Sequence, residues 1–260
     1  MKYSIVSKGD KFSNEVTEKL HNKLAKISMD RDDKFPNMVI TVGGDGTMLK
    51  AVHQYMKMID DVVFVGVHTG KLGFYTDFIH NDLDLFVDKI KKGQFEDESF
   101  PLLSAYVCNH KSCVIYNALN EFTLLNPYRT QHIDVYINDK YFESFQGTGL
   151  CISTPTGSSA FNKSLGGALI HPQIKAFQLA EIASINSNVY RTILSPLIIP
   201  KEQNITLKAT DFNEVILTID HIHRDLESYE YIKFVLSDKV VRFRQYNDND
   251  FWKRVQKSFL

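Results

Sequence analysis

The sequence predicts two domains, an α/β domain with a parallel sheet over residues 1–100 and a β-rich, sandwich-like domain over residues 101–260. Two observations predict this. In the first hundred residues, apolar runs of strand length alternate with runs of helical spacing, which implies a parallel sheet with helices on both faces. From Phe100 the texture changes to short β-rich runs parted by polar turns, as in a sandwich.

In chain order, residues 3–7 read as a strand, 14–27 as a helix, 38–42 as a strand, 47–59 as a helix, 62–67 as a strand and 83–91 as a helix. The run Met38-Val39-Ile40-Thr41-Val42 is mostly β-branched, which suits a strand covered on both faces. Met48, Leu49, Val52, Tyr55, Met56 and Ile59 then recur at helical spacing, with Thr47 available as the N-cap. The boundary falls at "ESFPLL", with no long linker. Beyond it "LLSAYVCN", "SCVIYNAL", "FTLLN", "HIDVYIND", "YFESFQG", "NITLKA", "VILTID" and "YIKFVLS" read as strands, and only residues 176–183 read as helical. The closing "FWKRVQKSFL" places Phe251, Trp252, Val255 and Phe259 at helical spacing, so it is expected to pack back onto the body.

The charges balance, 30 basic residues against 31 acidic, so no global field draws the chain to nucleic acid or to a membrane surface. No N-terminal segment resembles a signal peptide and no apolar run approaches the ~20 residues that span a bilayer, so the expected location is cytoplasmic. Cys108, Cys113 and Cys151 form no CxxC pair; a Cys108–Cys113 disulfide or half a metal site is conceivable, but buried reduced cysteine is the plainer reading in the cytoplasm. The nine histidines include no HExxH spacing. His221 and His223 in "DHIHRD" would share one face if extended, a metal-ligand option set against an ordinary strand-end or turn position.

The stretch "VGGDGTML", residues 42–49, puts glycines between a strand and a helix. There the backbone can approach a ligand closely, and the helix's leading N–H groups favour phosphate. Asp45 sits where phosphate would repel it unless a cation or a reacting hydroxyl stood between them. With "GVHTGKLGF", residues 66–74, it would lie beyond the carboxyl ends of the strands, where such sheets bind ligands. Other nucleotide and hydrolase motifs fail. "GVHTGKL" has the wrong glycine spacing for a P-loop and Leu72 where a Mg²⁺-binding hydroxyl is needed; GxGxxG is missing from the first strand–helix junction, and there is no GxSxG.

In the second half, "ALNEFTL" offers Asn120, a donor and acceptor that matches an adenine edge, and Glu121, an acceptor for ribose hydroxyls; alone, such a pair is more often a solvated strand end. "STPTGSSAFNKSLGGAL", residues 153–169, carries six hydroxyls and a Gly166-Gly167 pair, and its Pro155, Phe161 and apolar ending favour a binding loop over a solvated one.

Gly43 to Gly46, Asn120-Glu121 and "TPTGSSAFNKSLGG" at residues 154–167, in this order and spacing, resemble the bacterial NAD kinase family, and "SPLIIP" and "TID" extend the likeness over most of the chain. GGDGT alone would be shared with diacylglycerol, sphingosine and phosphofructokinase relatives. The resemblance implies phosphorylation of the adenosine ribose 2′-hydroxyl of NAD to give NADP, with ATP or polyphosphate as donor and Mg²⁺ or another divalent cation assisting. It also implies an active site between the two domains, a C-terminal segment returning to the first domain (here residues 238–260), and a dimer or homotetramer. By the same resemblance Asp45 is catalytic, and Gly43, Gly44, Gly46 and Thr47 bind the donor phosphates. Asn120, Thr156, Ser159 and Ala160 take the adenine end, Glu121 a ribose, Phe74 and Tyr75 the pocket wall, and His223 the pyrophosphate region. Phe161, Ser164, Thr148, Ala183 and Tyr190 complete the substrate set, Tyr190 as a candidate for reaching a neighbour's site; no residue is assigned as a resident metal ligand. Two alternatives stand beside this. A lipid kinase sharing GGDGT would continue with an Asn-Glu-Val-like stretch where this chain has Leu49-Lys50-Ala51-Val52, and a non-catalytic dinucleotide sensor would bind NAD without turnover.

The chain departs from the family pattern twice. In "FQGTGLC" Thr148 stands where an aspartate is usual, at the nicotinamide end, and Phe161 stands where tyrosine is common. A charge-assisted hydrogen bond contributes roughly 1.5–3 kcal/mol against about 1 for a neutral one, so a weaker hold on the nicotinamide is expected. Thr148→Asp should tighten NAD binding several-fold by titration calorimetry; unchanged or weaker affinity would remove residue 148 from that role.

Overall fold

The structure, a computed structural model, describes residues 1–70, 73–188, 190–247 and 250–260. It divides into two units, Met1–Phe100 with Lys239–Leu260, and Pro101–Asp238.

The first unit is built on parallel strands. Asp30–Arg31, Lys2–Ser7, Met38–Val42 and Val63–His68 lie side by side in that order, and Val63–His68 also pairs with Phe78–Ile79 and, through Arg242 and Phe243, with the end of Tyr231–Gln245. Met38–Val42 and Val63–His68 are buried along their whole length, which explains why they are apolar but for Thr41 and His68. The helix Lys11–Ala25 starts at Asp10, whose carboxylate accepts the Ser13 amide at 2.8 Å, and presents Val16, Leu20 and Leu24 to the core. Leu83–Lys92 places Leu83 and Phe86 inside and stops at Gly93, in the left-handed conformation that a glycine adopts freely. These side chains meet Ile40, Val42, Val65 and Val67 in one apolar cluster.

Two elements differ from the sequence expectation here. The helix after the glycines is Asp45–Gln54, followed by a short 3₁₀ turn Met56–Met58, and its N-cap is Gly44. Thr47 is therefore inside the first turn, because the helix begins within the glycine loop instead of after it. The last helix, Phe251–Phe259, turns Trp252 outward at 54 % exposure and buries Arg254 at 8 %. Phe251 and Phe259 lie against Phe74, as the apolar spacing suggests, while Trp252 does not join them and Arg254 does.

The second unit is antiparallel. One set runs Lys140–Gly147, Gln131–Ile137, Asn204–Lys208 and the start of Tyr231–Gln245. The other runs Leu197–Pro200, Ala176–Ile182, Gly149–Ser153, Glu121–Leu125, Ile216–Ile219 and Ile222–Asp225. A hairpin joins the latter part of Glu96–Cys108 to Cys113–Ala118. Phe122, Phe145, Leu150, Phe177 and Phe234 share one core, with the Phe122 and Phe234 rings 5.4 Å apart.

Residues 176–183 are not a helix. Ala176–Ile182 is a strand with neighbours on both sides, and a short run buried on both faces loses the alternation that would have marked it as one. The cysteine expectation is also corrected: Cys108 and Cys113 face each other across the hairpin and form a disulfide, while Cys151 is free and buried. Among the described residues no helix is long and apolar enough to cross a membrane.

Candidate active site

In the first unit the chain leaves Met38–Val42 through Gly43, whose amide donates to the Val67 carbonyl at 2.9 Å, and enters the helix at Asp45. Among the described residues no side chain caps this helix, which leaves its first amides without a side-chain partner. The Asp45 carboxylate is fixed from one side. Oδ2 accepts the Phe74 amide at 2.9 Å and Oδ1 accepts the Tyr75 amide at 3.0 Å. Gly73 lies against the same carboxylate, where a Cβ would come within 2.2 Å of Oδ1. The Tyr75 ring points away into the core and stacks on Phe243, with ring centres 5.2 Å apart.

In the second unit the Asp220 carboxylate gathers three successive amides. Oδ2 accepts from Leu119 at 2.9 Å, and Oδ1 from Asn120 at 2.8 Å and Glu121 at 3.2 Å. The loop 153–159 closes over the other side of this segment: Thr154 Oγ1 and Thr156 Oγ1 donate to the Leu119 carbonyl at 2.6 and 3.1 Å, and the Thr154 amide donates to the Asn120 carbonyl at 2.8 Å. Thr156–Ser159 forms a 3₁₀ turn, and Ser158, fully buried, ties it to Ile170. Asn120 and Glu121 are buried at 6 and 8 % exposure, which overturns the solvated strand-end alternative. Burial, and next the nearby Asp220 charge, push the Glu121 carboxyl up to about 8. Its Oε2 is buried and meets no hydrogen-bond partner among the described residues, an acceptor position open to a donor.

Residues 7–95 match the family model described as ATP-NAD kinase N-terminal domain, and residues 119–245 match ATP-NAD kinase C-terminal domain. An NAD kinase of Staphylococcus epidermidis is 43 % identical over all of this chain and 98 % of its own length, and NAD kinase 1 of Listeria monocytogenes is 43 % identical over all of this chain and 99 % of its own. The chain belongs to the NAD kinase family. Among solved NAD kinase relatives, yeast NADH kinase complexed with NADH superposes with a TM-score of 0.85 at 19 % identity, covering 99 % of this chain and 87 % of that one. An Archaeoglobus fulgidus NAD kinase in complex with ATP gives 0.78 at 19 % identity and 99 % coverage of both chains. At that identity the likeness is one of fold.

Within this NAD kinase fold the expected residues fall into two groups, one per unit. Gly43, Gly44, Asp45, Gly46, Thr47, Phe74 and Tyr75 stand together around the first helix turn of the first unit. Asn120, Glu121, Thr156, Ser159 and Ala160 stand together in the second, where Phe161 and Ser164 follow on the exposed face of the short helix Phe161–Ser164. Thr148 lies between Lys140–Gly147 and Gly149–Ser153, its carbonyl accepting from the Asn126 amide and the Gln131 side chain. Ala183 follows the strand Ala176–Ile182 in a left-handed conformation, and Tyr190 is 45 % exposed. His223 is an exposed residue of the strand Ile222–Asp225, while His221 is in the turn before it. Among the described residues, no three His, Cys, Asp or Glu side chains gather as a metal site.

Two residues stand out that the motifs did not single out for the site. Asp220 was visible only as part of "TID"; its partners lie about a hundred positions away. Arg254, one of three basic residues in the closing helix, donates to the carbonyls of Gly73 and Phe74.

Proposed function

We propose that the protein transfers a phosphoryl group from ATP or polyphosphate to the 2′-hydroxyl of the adenosine ribose of NAD, giving NADP, in the cytoplasm. The observation that carries this reading is the Asp45 carboxylate, held by two backbone amides at the open end of a helix directly after a glycine loop. Each carboxylate oxygen keeps a second acceptor position, so Asp45 can take the 2′-hydroxyl proton while the helix amides favour the donor phosphates. The ribose oxygen then bonds to the terminal phosphorus as the bridging P–O bond breaks, and the proton goes to Asp45. Phosphoryl transfer has a loose transition state with charge spread over oxygens, so positioning outweighs base strength.

The residues fit a divalent cation that arrives on the donor's phosphates, Mg²⁺ being the natural one, where it offsets phosphate charge near Asp45. Asn120 and the 154–160 loop would read the adenine, Glu121 a ribose, and Thr148 the nicotinamide end. Tyr190, exposed, would reach a neighbouring subunit in a dimer or homotetramer. Purified protein given NAD or NADH with Mg²⁺ and either ATP or polyphosphate should form the 2′-phosphorylated product; no product with any combination rejects the proposal.

Glu121 yields a pH prediction. Its carboxyl, near 4.5 in the unfolded chain, rises to about 8 on folding, so the folded protein holds the extra proton between those values. The associated stability is present below pH 4.5 and is lost as pH rises through 8. Ribose hydroxyls donating to Oε2 would favour the anion, so NAD binding should release a proton and strengthen from pH 6 to 8. Calorimetry in buffers of different ionisation enthalpy reads the release directly; Glu121→Gln should abolish it, and a release unchanged in that variant would assign it elsewhere.

A further inference from the structure

The geometry points to Arg254, in the last helix of the chain, as a positioning residue that sets the catalytic carboxylate through two consecutive peptide units. This rests on the reading of Asp45 given above. Arg254 Nη1 donates to the Gly73 carbonyl at 2.8 Å and also to the Phe74 carbonyl. The amide that shares a peptide plane with the Gly73 carbonyl is that of Phe74, and the one paired with the Phe74 carbonyl is that of Tyr75. These are the two amides that donate to Asp45. Guanidinium and carboxylate thus sit at opposite ends of the same two peptide groups, cation on the oxygens and anion on the N–H hydrogens.

Each peptide group carries a dipole of about 3.5 D, and both are aligned favourably between the charges. Hydrogen bonds in such a chain polarise one another, so the cation strengthens the grip of the amides on Asp45 without touching it. A guanidinium suits the task because one planar group reaches two neighbouring carbonyls. Its placement is costly. Arg254 is buried, and burial lowers its pKa against the opposing pull of Asp77, Asp45 and Glu98, the acidic groups that face it. A buried cation whose contacts are the backs of these two peptides holds the 73–75 turn in the conformation that aims Asp45. The rings of the turn are seated separately, Tyr75 on Phe243 and Phe74 against Phe251 and Phe259, so what Arg254 adds is the orientation of the two peptide planes.

The test is a cycle of Arg254→Met and Arg254→Lys, each alone and with Asp45→Asn. A misplacement near 1 Å at a reacting group costs on the order of 10²-fold, so Arg254→Met should lower kcat by about that factor with KM for NAD within about threefold. Arg254→Lys, which keeps the charge but loses the rigid planar NH₂ group that meets both carbonyls, should retain more of kcat than Arg254→Met. In the Asp45→Asn background the same Arg254 changes should cost about nothing further, because the group they position is gone. If Arg254→Met does not fold, Arg254→Lys alone is read by the same split of kcat from KM and the same double variant. Folded variants with kcat within twofold of the parent, a change in KM alone, or a loss equally large in the Asp45→Asn background would each overturn the inference. Near-normal turnover of Asp45→Asn by itself would instead reject the role of Asp45.

Discussion

Asp45→Asn should cut turnover about 10²- to 10⁴-fold, the range that a positioned general base contributes, while NAD affinity stays within a few-fold. The substitution keeps the size of the side chain and removes the anion. It also puts an NH₂ group opposite one of two backbone donors, since both carboxylate oxygens accept an amide, from Phe74 and from Tyr75. The turn at 73–75 then has one unmatched amide, so the loss should combine an absent base with a slackened position. Stopped-time assays of NADP formation and calorimetric NAD titrations separate the two quantities. Turnover within threefold of the parent would take Asp45 out of the mechanism.

Gly157→Ala should damage substrate binding, the quantity that the first change spares. A Cβ on residue 157 would stand 2.1 Å from the Asn120 carbonyl oxygen and 2.5 Å from its carbon, both backbone atoms with no flexible end to swing aside. Either the 154–159 turn lifts or the Asn120 segment retreats. The loop is tied to that segment through Thr154 and Thr156, and the Gly157 amide itself donates to Thr154 Oγ1 at 3.0 Å, so those bonds lengthen together. Overpacking of this kind costs about 1–3 kcal/mol, or roughly 2–10 °C in Tm for a chain of this size. NAD affinity should fall about tenfold or more, because Asn120 and Glu121 are carried out of place with their backbone. A variant that keeps parental Tm and parental affinity would show that the close approach is dispensable.

Much of this was readable before the structure because it is local. The strand–glycine–helix order around Asp45 is written in consecutive residues, and the apolar periods of the first hundred residues mark every major element there. What escaped was either featureless locally or made by distant partners. Ala176–Ile182 has no alternation because residues on both of its faces are buried, so periodicity could not tell strand from helix. Arg254 meets Gly73 across 181 residues, and nothing in "FWKRVQKSFL" shows that this cation turns inward alongside Phe251 and Phe259. The Cys108–Cys113 disulfide was set aside on grounds of compartment, which say nothing of the hairpin register that brings the two residues face to face.

The interrupted make-up of the first unit has a consequence for how the chain is synthesised. Its two pieces, Met1–Phe100 and Lys239–Leu260, are separated in the message by the whole of Pro101–Asp238. At translation speeds of about 5–20 residues per second, the nascent sheet spends on the order of ten seconds without its last parallel strand and its closing helix. During that interval Val63–His68 lacks the Arg242 and Phe243 pairing, and the turn behind Asp45 lacks Arg254. The middle unit, encoded without interruption, can complete its core first. Birth order is therefore inverted: the part of the protein that starts at the N-terminus is the last to be finished, and the aspartate at its centre acquires its final setting only when the C-terminal helix leaves the ribosome.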